Sequence, residues 1–246
     1  MSEHELLLTV AFALVALLYS SVGHAGASGY LAVMALAELA PAQMKPVALV
    51  MNTAVAAIGT YNFWRGGWFR WHLFWPFAIT SIPLALVGGA ITLPDIYYKP
   101  LVGAVLLYSG ARLMFPPRGR ETNLHPPAIP VAVGTGAGLG FLSGLTGVGG
   151  GIFLSPVVMF AGWGNAREAS GVAAPFILVN SIAGLVGRGL VDTSIPGPTL
   201  PWLAAVLVGG AVGSWLGSRR LPMPSIRRLL AVVLFLAGAK MLFGLG

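Results

Sequence analysis

Residues Ser143 to Pro156 read S-G-L-T-G-V-G-G-G-I-F-L-S-P, with five glycines (Gly144, Gly147, Gly149, Gly150 and Gly151) inside an otherwise apolar run. A glycine in a helix interior costs about 1 kcal/mol relative to alanine. Five of them in eight residues therefore predict an interruption, with one helix stopping near Leu145 and another starting near Gly150. The first backbone N–H groups of a restarted helix have no partner within it and can face a ligand. The competing reading is close helix–helix contact through small residues. A second copy of the pattern elsewhere in the chain favours the interruption.

The rest of the 246 residues sets the environment of that stretch. The chain is 57% hydrophobic and only 9% charged, against about 25% charged in an ordinary soluble domain. So few charges cannot cover a soluble surface, and the composition predicts an all-α integral membrane protein surrounded by lipid. The net charge of +7 comes from basic residues scattered singly between apolar runs. That pattern fits a positive-inside bias and not nucleic-acid binding. The absence of cysteine excludes disulfides and thiol chemistry. Nothing in the sequence calls for a metal or a cofactor. The first residues, M-S-E-H-E, are acidic where a signal peptide would be basic, so Leu6 to Leu18 reads as a retained span.

A helix needs about 20 apolar residues to cross the hydrocarbon core. Ten apolar segments can be drawn: 5–22, 27–41, 46–64, 71–92 and 97–115, then 129–145, 150–162, 170–188, 199–217 and 225–244. The second of each five is too short to span comfortably. A polar, proline-rich linker separates the halves, so residues 1–115 and 129–246 read as two membrane repeats with a cytoplasmic loop at 116–128. Gly110 to Phe115 matches Gly238 to Phe243 at an offset of 128, which also pairs Asn52-Thr53 with Asn180-Ser181. An offset near 123 pairs Arg65-Gly66 with Arg188-Gly189, and Ser20…Gly26 with Ser143…Gly149. The partner of the opening stretch is therefore S-S-V-G-H-A-G-A-S-G, Ser20 to Gly29.

With the N-terminus outside and every segment crossing, ten basic residues fall inside and four outside (Lys45, Lys99, Arg188 and Lys240). The positive-inside rule prefers this orientation, with both termini periplasmic. Five segments per half is an odd number, so the second repeat is inverted relative to the first, whether the broken pairs cross or re-enter. Inverted repeats with broken helices place a binding site near the midplane and let one half rock against the other. Two helix starts near Ala27 and Gly150 would turn positive dipole ends toward one central point, and an anion is the natural guest.

Gly138 to Pro156 (G-L-G-F-L-S-G-L-T-G-V-G-G-G-I-F-L-S-P), its degenerate partner and the duplicated layout resemble the sulfite exporter TauE/SafE family. The resemblance covers nearly the whole chain. It implies a secondary transporter, often an exporter, of small sulfur-containing anions such as sulfite, sulfoacetate or other organosulfonates. It also implies the bacterial inner membrane. The first break departs from the family's stronger pattern, since His24 stands opposite Gly147, and Ala27 and Ser28 opposite Gly150 and Gly151.

The candidate substrate-binding residues follow from the two breaks. Ser20, Ser21, Ser28, Ser143 and Thr146 are hydroxyls that can donate to sulfonate oxygens or bond back to their own helix carbonyls. Gly26, Ala27, Gly149, Gly150 and Gly151 frame the helix starts. His24 can attract an anion and, titrating near neutral pH, couple transport to protons; the structural alternative is a neutral ring on a backbone carbonyl. Asn52 and Asn180 either donate to the substrate or hold the broken backbone. Gln43, Lys45, Arg167 and Glu168 read as interfacial charges or vestibule residues. Trp64, Trp68, Trp71 and Trp75 read as an interfacial aromatic belt. Two other functions stand beside the transporter: an anion or proton channel, and an intramembrane serine hydrolase with Ser143 as nucleophile and His24 as base.

Overall fold

In hydrocarbon each backbone N–H and C=O must find its partner within its own segment, so a chain this apolar resolves into helices. The computed structural model describes residues 3–115, 124–189, 192, 199–219 and 224–244, with no strand among them. Its helices are α1 (Glu3–Ser20), α2 (Ala27–Leu36), α3 (Pro41–Arg65), α4 (Trp71–Ala90), α5 (Asp95–Met114), α6 (Ile129–Thr146), α7 (Gly151–Phe160), α8 (Ala166–Gly189), α9 (Thr199–Arg219) and α10 (Pro224–Phe243). Five of them (α3, α4, α6, α8 and α9) are long and apolar enough to cross a membrane by length and composition. The protein is an all-helical integral membrane protein. Most of the predicted linker, residues 116–123, lies outside the described residues.

Both glycine-bearing stretches interrupt the helices. α6 ends at Thr146 and α7 begins at Gly151, each one residue later than the sequence suggests. α2 and α7 have ten residues each. That is about 15 Å of helix at 1.5 Å per residue, roughly half of the hydrocarbon thickness.

Packing partners are exchanged between the halves. α6 lies along α4 and α1 along α9; α8 packs on α4 and α3 on α9; α3 meets α8 and α5 meets α10. Replacing every helix by its counterpart five places along the chain turns this set of pairs into itself.

Lipid tails are as apolar as leucine, so helices associate in a bilayer through close van der Waals contact more than through hydrophobic burial. The sequence provides for this with two glycine ladders spaced four residues apart. Gly136, Gly140 and Gly144 of α6 lie directly on the carbonyl oxygens of Phe77, Ser81 and Ala85 of α4. Gly209, Gly213 and Gly217 of α9 lie on those of Ala13, Leu17 and Ser21 of α1. A Cβ at any of these positions would collide with backbone.

The buried apolar side chains divide into two clusters that do not follow the sequence halves. The smaller joins α4, α6, α7 and α8 through residues such as Phe77, Ala132, Leu154, Trp163 and Phe176. The larger joins α1, α2, α3, α5, α9 and α10. Val148, Ile152 and Ile177 belong to the larger cluster although they sit on the second break, α7 and α8. The seam between the clusters therefore runs along the second break.

Candidate functional site

Each break turns on glycines whose backbone disfavours a side chain. Gly147, Gly149 and Gly150 have φ of 84°, 78° and 78°, and Gly26 has φ of 109°. These are left-handed values that disfavour a side chain. Gly26 and Gly150 precede α2 and α7 as N-caps, and neither helix receives a side-chain cap. The leading N–H groups of two helices are thus left without a side-chain acceptor inside the protein.

The breaks touch. His24 of the first lies with Nε2 3.2 Å from the carbonyl oxygen of Gly151 and 3.3 Å from Ser155 Oγ, both in the first turns of α7. A carbonyl can only accept, so Nε2 carries the proton in this contact. His24 therefore bridges the halves through a backbone carbonyl. It does not pair with Ser143, and no hydrogen bond reaches the Ser143 hydroxyl, so the geometry assembles no Ser143–His24 pair.

The hydroxyls fall into two groups. Ser21 donates to Leu18 O (2.7 Å), Thr146 to Leu142 O (2.7 Å) and Ser28 to Tyr19 Oη (2.8 Å). Ser20 and Ser143 are buried, 2% and 0% exposed, with hydroxyls that meet no partner. They are counterparts at the offset of 123. A cavity of about 10 Å³ beside the first break is lined by Ser20, Gly23 and His24, with Val55 and Gly59 of α3 and Ala174 of α8 among its walls. That is room for about one water molecule. Nothing larger fits there in this arrangement of the helices.

The two asparagines are fully buried and both turn their amide N–H inward to the backbone. Asn52 Nδ2 donates to Val148 O of the second break (3.2 Å), whereas Asn180 Nδ2 donates to Phe176 O in its own helix (2.8 Å). The counterpart of Val148 O in the first break is Ala25 O, which Tyr30 Oη caps at 2.6 Å. Asn180 therefore braces its own helix and not the first break.

Several residues that sequence reasoning read as interfacial charges, or did not single out, hold the site. Lys45 is 8% exposed and donates all three ammonium hydrogens, to Gly88 O (3.0 Å), Gly89 O (2.9 Å) and Ile91 O (3.0 Å). It caps the C-terminus of α4, where carbonyls lack partners and the dipole favours a cation. Its own backbone lies against Gly147. Tyr98 of α5 reaches across to donate to Thr146 O (3.3 Å). The tyrosines were readable only as aromatics in apolar runs, because nothing local links them to a carbonyl in another segment. Arg167 and Glu168 take structural roles: Asn165 Oδ1 accepts from both of their N–H groups (3.0 Å each) as the cap of α8, and Glu168 pairs with Arg70 at 2.9 Å. Trp64 and Trp71 are 61% and 64% exposed, in keeping with a lipid-facing belt.

Five helices long and apolar enough to cross a bilayer, two short apolar ones, and polar groups gathered at the breaks fit one class: a multi-pass membrane transporter. The chain belongs to the sulfite exporter TauE/SafE family, whose model matches residues 8–241. It is 39% identical over 240 residues to the probable membrane transporter protein y4hK of Sinorhizobium fredii (strain NBRC 101917 / NGR234), covering 96% of this chain and 97% of that one. No solved structure matches it.

Proposed function

We propose that the protein is a secondary transporter of small sulfur-containing anions such as sulfite or sulfoacetate, carried by alternating access around the two breaks. The observation that carries this reading is the meeting of two helix starts without side-chain caps through His24 and Gly151 O, beside the unpartnered Ser20 and Ser143 hydroxyls. Leading N–H groups and neutral hydroxyls suit a sulfonate, whose charge is spread over weakly basic oxygens. Substrate binding is assigned to Ser20, Ser143 and the N–H groups that Gly26, Ala27, Gly149, Gly150 and Gly151 frame. His24 is the residue through which protons would be coupled, because with Nε2 already donating to Gly151 O, protonation adds a second N–H at Nδ1 and a positive charge beside the breaks. The exchanged packing partners support two inverted repeats. The residue charges support periplasmic termini, and the family resemblance implies a bacterial inner membrane.

The moving parts in this reading are the two packed clusters and not the sequence halves, because the glycine ladders tie α6 to α4 and α9 to α1 across the halves. Purified protein in liposomes tests the function. Saturable uptake of labelled sulfite or sulfoacetate, with competition between them and no turnover of either, is the expected result. A linear, non-saturating flux would mark a channel. Labelling of Ser143 by a fluorophosphonate would mark a hydrolase.

A further inference from the structure

Clusters that move against each other must first break what ties them, and the ties differ between the two ends of the seam. α4 and α8 run in the same direction, with Arg70 paired to Glu168 where both start and Gly89 lying on Gly184 O near where both finish. α3 runs the opposite way, since Gly59 faces Ala174 and Leu49 faces Gly184. One end of the seam therefore holds the start of α3 and the finish of α4. The other holds the starts of α4 and α8.

At the first end Lys45 crosses from α3, in the larger cluster, to α4, in the smaller. These two helices do not pack along each other. The ammonium spans them by donating to Gly88 O, Gly89 O and Ile91 O. Each bond joins a full charge to a carbonyl at a helix end, which is the strong kind of hydrogen bond. Lys45 also lies against Gly147 of the second break, and Tyr98 of α5 adds its bond to Thr146 O nearby.

At the second end the tie is neutral. Ser170 of α8 donates to Val22 O of the first break at 2.9 Å, with Ala166 O of its own helix at 3.0 Å. A hydroxyl has one hydrogen, so the two carbonyls share it. Arg167 stacks on Trp68 at 4.8 Å there, but Arg167 is exposed, and exposed pairs of this kind are weak. The cavity of about 10 Å³ lies just behind this tie. Gly23 is in its lining, and a Cβ on Gly23 would stand 2.5 Å from that of Ser170. The second break thus leans on a lysine and the first on a serine.

We propose that Lys45 decides which mouth of the transporter opens at rest, an assignment that rests on the alternating-access reading above. Its three bonds hold the seam shut where α4 finishes, so the clusters part first between Ser170 and Val22, where α8 starts. Lys45 acts through the carbonyls of α4 and not on the cargo. It is a positioning residue for the cycle.

The test uses the absence of cysteine from the chain. Ala174→Cys places one thiol in the cavity wall. His72→Cys and Thr92→Cys, exposed residues at the start of α4 and just past its finish, mark which face each preparation presents. Right-side-out and inside-out membrane vesicles are treated with trimethylammonioethyl methanethiosulfonate, which does not cross lipid, and no sulfur anion is added. The Ala174→Cys thiol should react at least about tenfold faster from the His72 face than from the Thr92 face, since one charge-assisted bond alone shifts an equilibrium by about that factor. Adding Lys45→Met should speed reaction from the Thr92 face about tenfold, with Thr92→Cys itself reacting as before. If Lys45→Met does not fold, Lys45→Gln, which keeps a donor for one carbonyl, should act in the same direction. Ser170→Ala should speed reaction from the His72 face only. Equal rates from both faces, faster reaction from the Thr92 face, or rates indifferent to every Lys45 substitution overturn the proposal. Sided labelling in a protein that moves no sulfite or sulfoacetate sinks the substrate reading and leaves the role of Lys45 standing.

Discussion

Five hydroxyls next to the breaks look alike in the sequence, and the fold treats them differently. Ser21 and Thr146 spend their hydrogens on their own helices, while Ser20 and Ser143 do not. Ser143→Ala and Ser20→Ala should therefore leave the melting temperature unchanged and weaken anion binding. A hydrogen bond to a charged group is worth about 1.5–3 kcal/mol, hence roughly tenfold or more in affinity for each. Thr146→Ala should change affinity little, and a binding isotherm for each variant compares them. Lys45→Met strands three carbonyls at the end of α4 and should cost about 3 kcal/mol of stability, read as a lowered melting temperature. Residue types and spacing told where the breaks would fall. They could not tell which hydroxyls turn back to their own helix, a choice between rotamers of similar energy, nor that Lys45 would fold inward onto carbonyls more than 40 positions away. Gly150 illustrates the same limit. Its φ of 78° and the Phe176 ring atom 2.9 Å from a would-be Cβ mean that Gly150→Leu would strain the fold as well as obstruct the site, so loss of binding in that variant does not isolate the anion.

At the scale of elements, hydropathy located ten segments that the structure matches closely, because crossing a bilayer leaves a helix little choice of length or composition. The two short helices were legible for the same reason, as apolar runs that stop too soon. The glycine ladders were visible as residues but not as contacts. A four-residue spacing says that a helix has a bare face and does not say which helix lies on it. The structure shows α4 against α6 and α1 against α9. Gly140→Leu drives a side chain into Ser81 O, and Gly213→Leu into Leu17 O. Backbone cannot withdraw as a flexible side chain can, so each should cost at least about 3 kcal/mol, the upper end for overpacking, and lower folded yield from the membrane. Gly134→Leu, whose Cβ meets nothing within 4 Å, is the matched control and should be tolerated.

For the whole molecule, the repeat invites the picture of two halves rocking against each other. The apolar clusters redraw that division, with α6 bound to α4 of the other half and α9 to α1. Sequence symmetry records how the chain was duplicated, whereas packing decides what moves as a unit. The seam can be locked, since a Cβ on Gly59 of α3 would stand 3.6 Å from that of Ala174 in α8, within disulfide range. The chain has no cysteine of its own. Gly59→Cys with Ala174→Cys should stop transport when oxidised and recover it when reduced, with each single variant active throughout. Unimpaired transport in the oxidised form would place the moving joint elsewhere.

The half-length of α2 and α7 has an electrical consequence. Where two such helices meet, a guest is separated from either aqueous phase by only part of the bilayer, so the membrane voltage divides across it. One elementary charge crossing the full potential gains or loses about 2.3 kcal/mol per 100 mV, and one moving from the meeting point to either side feels roughly half of that. A sulfonate travelling alone would generate current, and its rate would follow the voltage. A sulfonate travelling with one compensating positive charge would be electrically silent, so an electrode reads the stoichiometry of the cycle directly.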